Sequence, residues 1–119
     1  MNEFAANITW RQLDQDKSFV QLDDTGQRII VREKGTYSIF VSLAVDGRNC
    51  KTNDTKSLIC LRYENTNEKC AKAQIAKDTA FSVPIRLDIF LGIGELLWVT
   101  GLGFDCADEL KSYMTIIKF

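Results

Sequence analysis

The clearest signal along the chain is an alternation of apolar and polar residues with a period of two. From Thr36 to Val45, Tyr37, Ile39, Val41, Leu43 and Val45 alternate with Thr36, Ser38, Phe40, Ser42 and Ala44. Side chains of a strand point to opposite faces in turn, so this segment predicts a strand in a sheet with two distinct faces. Shorter runs of the same kind surround it. Phe19, Val20 and Leu22 precede the turn Asp23-Asp24-Thr25-Gly26, and Ile29, Ile30 and Val31 run into a second turn at Lys34-Gly35. Asp46 to Lys56 reads as a polar loop, Leu58 to Tyr63 as a strand, and Glu64 to Glu68 as a turn. Cys70 to Lys77 is Ala-rich but too short to stand as a helix, so a strand is expected there. Val83 to Leu91 and Leu96 to Val99 are joined by Gly92-Ile93-Gly94-Glu95, a hairpin signal, and Tyr113 to Phe119 is a last apolar run.

Roughly eight short strands separated by turns, with a single Pro and no amphipathic helix, predict one all-β domain over residues 1–119. A two-sheet antiparallel sandwich or jelly roll is the expected architecture. At 119 residues the chain can bury a core of its own without a metal or a disulfide lattice.

Composition narrows the chemistry. There is no histidine, which removes His-based general bases, Ser–His and Cys–His pairs and His-ligated zinc. The formal net charge of −1 gives no excess of Lys and Arg for nucleic acid or an anionic membrane surface. The most apolar stretch, Ile89 to Phe104, carries Glu95 and four glycines, short of a membrane span. No cofactor and no metal are expected.

The four cysteines, Cys50, Cys60, Cys70 and Cys106, contain no C-x-x-C, which disfavours zinc ribbons, iron–sulfur sites and thioredoxin-type motifs. Four cysteines allow three pairings, or four free thiols in a reducing compartment. The sequons Asn7-Ile8-Thr9 and Asn53-Asp54-Thr55 fit a secreted chain and make Asn7 and Asn53 candidate glycan acceptors.

Four spaced features resemble the tumour necrosis factor (TNF) superfamily. Ile8-Thr9-Trp10 is similar to the family's early strand ending in Trp, and Gly35-Thr36-Tyr37-Ser38-Ile39-Phe40 to its Gly-x-Tyr-x-x-Tyr/Phe strand. Leu91-Gly92-Ile93-Gly94-Glu95 resembles its Leu-x-x-Gly-Asp hairpin, and Ser112 to Phe119 its terminal strand. Met114-Thr115 in place of Phe-Gly, and the short chain, resemble the compact costimulatory branch of the glucocorticoid-induced-receptor ligand.

This resemblance implies a TNF-like jelly roll acting as an extracellular cytokine, without enzymatic activity. It would be the ectodomain of a single-pass type II membrane protein or its shed form, with no membrane contact of its own. The implied partners are a TNF-receptor-type cell-surface receptor, in immune costimulation, and two further copies of the chain. The trimer surface is expected to draw on Phe40, Ile85, Leu87, Ile89 and Tyr113. Receptor contacts are expected from Arg62 and Tyr63 on one wall and from a loop holding Phe104, Asp105, Asp108 and Glu109 on the other. In such a jelly roll the loops after Val45 and Gly101 share one end, which favours Cys50–Cys106, while Cys60–Cys70 flank one turn on adjacent strands. Cys50–Cys70 would have to bridge ~20 Å or more along a strand.

Other readings remain beside it. Asp24-Thr25-Gly26 matches the catalytic tripeptide of retroviral-type aspartic proteases, in which two carboxylates share a proton, although Gln27 stands where Ala or Ser is wanted. A complement-type globular head or another jelly-roll binding module would share the Gly-x-Tyr strand. Gly92-x-Gly94 fails as a dinucleotide loop because Leu97 stands at the third Gly position. Asp105, Asp108 and Glu109 lack the ligand spacing of a calcium loop.

Overall fold

A computed structural model of the chain describes residues 6–7, 9–10, 19–49, 56–64, 67–74, 79–102 and 107–119. Among these, the strands are β1 (Ala6–Asn7), β2 (Val20–Leu22), β3 (Arg28–Val31), β4 (Gly35–Asp46), β5 (Lys56–Tyr63), β6 (Asn67–Gln74), β7 (Ala80–Leu91), β8 (Leu96–Leu102) and β9 (Ala107–Lys118). One 3-10 turn, Gly47–Asn49, follows β4.

Two antiparallel sheets form the sandwich. One runs β2-β3-β8-β5-β6, with β1 also paired to β8, and the other runs β7-β4-β9. The alternation on β4 decides which side is inside. Tyr37, Ile39, Val41, Leu43 and Val45 are all buried, and they meet Ile29, Val31, Ile59, Leu61, Leu97 and Val99 of the opposite sheet. Apolar area removed from water scales with stabilisation, so this face of β4 anchors the core. Ser42 and Ala44 are also buried, on the other phase of the strand. Tyr113 stands opposite Ser42, and the Ala44 N–H donates to Ser112 Oγ at 3.0 Å where the β4–β9 register shifts.

Turn chemistry sets the entry into each strand. Asp23 Oδ1 accepts hydrogen bonds from Thr25 Oγ1 and from the Gln27 and Arg28 N–H groups, which closes the β2–β3 hairpin. Gly26 completes it at φ 75°, and a Cβ there would lie 3.0 Å from both Thr9 Cγ2 and the Trp10 carbonyl. At the β7–β8 hairpin, the Gly94 N–H donates to the Val31 carbonyl and the Val31 N–H to the Glu95 carbonyl. Pro84 sits within β7, which is an edge strand whose ladder can spare an N–H. Across the gap between the sheets, Lys69 Nζ on β6 donates to the Arg86 carbonyl on β7.

Several boundaries differ from the sequence reading. Thr9 and Trp10 are not in a strand; the first pairing is Ala6–Asn7 on β8, and the Trp10 N–H instead donates to the Gly26 carbonyl. The ladder opposite β5 starts at Asn67 rather than Cys70, because pairing with Tyr63 extends it toward the turn. The last strand begins at Ala107, ahead of the apolar run that marked it.

Candidate interaction surfaces

Cross-strand register lays out the solvent side of the β7-β4-β9 sheet as rows. Phe90 stands opposite Thr36; Asp88 and Ile117 flank Ser38; Arg86 and Thr115 flank Phe40; Pro84 and Tyr113 flank Ser42. Phe40 and Tyr113 pack with ring centroids 6.0 Å apart. Phe90 (60% exposed), Ile117 (53%), Tyr113 (51%) and Phe119 (73%) leave a large apolar area in water. The Phe119 N–H donates to the Thr36 carbonyl, so the terminal residue is tied to the same sheet. Within this face Arg86 and Asp88 form an exposed ion pair at 3.7 Å. Grouped on one sheet face, these side chains make it a candidate interaction surface.

Of the residues expected on an oligomer surface, Phe40 and Tyr113 lie on this face, and three do not. Ile85, Leu87 and Ile89 stand opposite Val41, Ile39 and Tyr37, so they share the inner face of β4. Ile85 is 3% exposed, and Leu87 and Ile89 are packed against the core. The reason is the pleat. The apolar phase of β7 turns toward the other sheet, and its polar phase, with Arg86, Asp88 and Phe90, turns outward.

The outward side of the larger sheet carries a second pattern. Arg28, Trp98, Arg62 and Glu68 stand side by side on β3, β8, β5 and β6. The Arg28 guanidinium lies 5.4 Å from the Trp98 ring centroid, a cation–π contact. Arg62 Nη1 pairs with Glu68 Oε2 at 3.1 Å, and Arg62 Nε donates to Thr100 Oγ1 at 3.0 Å. Tyr63, one residue on, takes the opposite phase and is half-buried against the core, not displayed with Arg62. Nothing in the composition flagged Arg28 or Trp98; only the strand order, which is set by distant pairings, brings them beside Arg62.

The other expected contact residues are placed less directly. Phe104 and Asp105 lie outside the described residues. Asp108 and Glu109 belong to β9 rather than to a loop, with Asp108 opposite Ala44. Asn7 is in β1 opposite Thr100, and Asn53 is outside the described residues. Cys60 and Cys70 are bonded as a directly opposed cross-strand pair, with Cα atoms 4.0 Å apart. Cys50 and Cys106 are outside the described residues.

Asp24-Thr25-Gly26 forms the tip of the β2–β3 hairpin, with Thr25 Oγ1 donating to Asp23 and Gly26 N–H to the Asp23 carbonyl. Its role there is that of a turn. Burial pushes the Asp23 carboxyl up, but hydrogen bonds from Thr25 and from the Arg28, Gln27 and Gly26 backbone together hold it below the usual carboxylate range.

No protein-family model matches the sequence, and no curated protein matches it. Solved structures match its fold over most of its length. Murine APRIL at pH 5.0 superposes with a TM-score of 0.74 at 10% identity, covering 99% of this chain and 91% of that one. Murine APRIL at pH 8.5 gives 0.75 at 9% identity, covering 97% and 87%. Rabbit GITRL gives 0.65 at 11% identity, covering 88% and 80%. Both are TNF-superfamily ligands, and this chain has their fold.

Proposed function

We propose that the chain is an extracellular, non-enzymatic cytokine domain of TNF type, which assembles as a homotrimer and gathers TNF-receptor-type receptors on a cell surface in immune costimulation. The observation that carries this reading is the exposed face of Phe40, Phe90, Tyr113, Ile117 and Phe119, on a sheet belonging to a TNF-ligand fold. Aromatic side chains bury large area at little entropic cost, so a second copy is a fitting cover for them. A threefold arrangement repeats each binding surface three times, and bound receptors are then held together by avidity as well as by single-site affinity.

In this reading Arg62 is a receptor contact, and Tyr63 supports it from beneath rather than touching the partner. Phe104, Asp105, Asp108 and Glu109 form the acidic wall across the groove. Asn7 and Asn53 carry glycans, Cys50 pairs with Cys106, and the domain is displayed by a type II anchor or shed from it.

The test has two parts. Sedimentation velocity at micromolar concentration should give a trimer, and binding to a panel of immobilised TNF-receptor-type ectodomains should single out a receptor. A monomer at that concentration, or no binding to any member of the panel, would overturn the corresponding half of the proposal.

A further inference from the structure

The solvent side of the β5–β6 ladder brings together three metal-ligating groups that the ligand reading leaves unused. Cys60 and Cys70 face each other in register, and Glu68, two residues before Cys70, lies on the same side of the sheet. The Sγ atoms and a Glu68 carboxylate oxygen all lie within 4.8 Å of one another. Cys60 is nearly covered, whereas Cys70 and Glu68 are exposed. We propose that this cluster is a redox-gated site for a thiophilic divalent cation such as Zn²⁺ or Cd²⁺.

The argument rests on what holds the strands together. Paired residues run from Lys56–Gln74 to Tyr63–Asn67, on both sides of the cysteine pair. Opening the disulfide therefore leaves the two sulfurs as neighbours, because the backbone ladder fixes the spacing independently of the S–S bond. Ligands around a tetrahedral zinc stand about 3.7 Å apart at Zn–S and Zn–O distances of about 2.0–2.3 Å. The two sulfurs and the Glu68 oxygen already lie within 4.8 Å of one another, close to that spacing.

The chemistry balances in two steps. An external dithiol reduces the bond: its thiolate attacks one sulfur, forming a mixed disulfide and expelling the other cysteine as a thiol, and its second thiol then frees the first cysteine as the reagent closes to a cyclic disulfide. The two thiols then give up two protons as the cation binds through two sulfurs and one carboxylate oxygen, with water in the fourth position. Glu68 leaves Arg62 to do so. Metal uptake thus takes the carboxylate partner from an arginine on the outer face and leaves it held by Thr100.

The test uses Cd²⁺ alone as probe, with the thiolate-to-cadmium ultraviolet band and equilibrium dialysis as readouts. The dithiol-reduced chain, freed of reductant under nitrogen, should bind one Cd²⁺ more than the Cys60→Ser/Cys70→Ser double variant treated in the same way. The oxidised chain should bind none at this site. Glu68→Gln, which leaves the disulfide in place, should lower the reduced chain's affinity at least about tenfold while its far-ultraviolet circular dichroism stays unchanged. Equal uptake by the reduced wild type and the double variant would overturn the proposal, as would unaltered affinity in Glu68→Gln. Loss of the β-sheet spectrum on reduction would overturn it too, since the ladder would then not hold the thiols together.

Discussion

Phe40 and Tyr113 lie on different strands, 6.0 Å apart between ring centroids, and both look away from the core that their own strands help to build. Their strand neighbours turn inward, Ile39 buried and Met114 packed against the core, so a single residue step separates a core role from a surface role.

Substitutions one step apart should therefore separate the two roles. Phe40→Ala is expected to weaken self-association by about 2 kcal/mol per contact while leaving the isolated fold intact. Ile39→Ala, in the buried core, is expected to lower the unfolding free energy by about 2–5 kcal/mol. Sedimentation equilibrium and urea unfolding of both variants check the pair.

Arg62 and Tyr63 should diverge in the same way. Arg62→Ala removes an outward side chain held by Glu68 and Thr100, and should slow or weaken receptor capture without a change in melting temperature. Tyr63→Ala empties half-buried volume against the core and should lower the melting temperature first. Surface-immobilised receptor binding beside calorimetry distinguishes them.

The two left-handed glycines among the described residues predict unequal costs. Gly94, at φ 87°, has open space where a Cβ would go, so Gly94→Ala should cost about 1–2 kcal/mol of conformational strain alone. At Gly26 the new Cβ meets the Trp10 carbonyl and Thr9 Cγ2 as well, so Gly26→Ala should cost more than that. Parallel denaturant titrations give the difference.

Acid should find Asp46. Hydrogen bonds from the Arg48 side chain and then from its backbone N–H hold the carboxyl down to about 2, against an ordinary value of 3.8. A folded-state pKa below the unfolded one gives stability that is present above about pH 4 and fades as the pH falls from there toward 2. Asp46→Asn should flatten that part of the thermal stability profile between pH 2 and pH 5. The effect should be small and shrink in salt, because the group is at the surface.

What could be read from the residues was local. The alternation on β4, the Asp23–Gly26 and Gly92–Glu95 turns, and the opposition of Cys60 and Cys70 across one hairpin all follow from period and turn chemistry, and all stand in the structure. The side to which β7 turns its apolar phase was not legible. Ile85, Leu87 and Ile89 repeat every second residue whether that face meets the core or a partner, and only pairing with Tyr37, Ile39 and Val41 decides it. Phe90, Ile117 and Phe119 are hidden from a local pattern for the matching reason, since each stands outside the apolar phase of its strand. The Arg28–Trp98–Arg62–Glu68 row depends on strands far apart in sequence lying side by side, which no local pattern encodes.

Central strand β4 draws its two neighbours, β7 and β9, from the far half of the chain, with Tyr37 paired to Ile89 on one side and to Lys118 on the other. Neither pairing can form until long loops have closed, about 50 residues for the first and about 80 for the second. High contact order of this kind places folding in the millisecond-to-second range, without a quick local nucleus around β4. During synthesis, the strand that anchors the finished core must wait unpaired with its apolar edge open, and in that interval it is a target for chaperones and for aggregation.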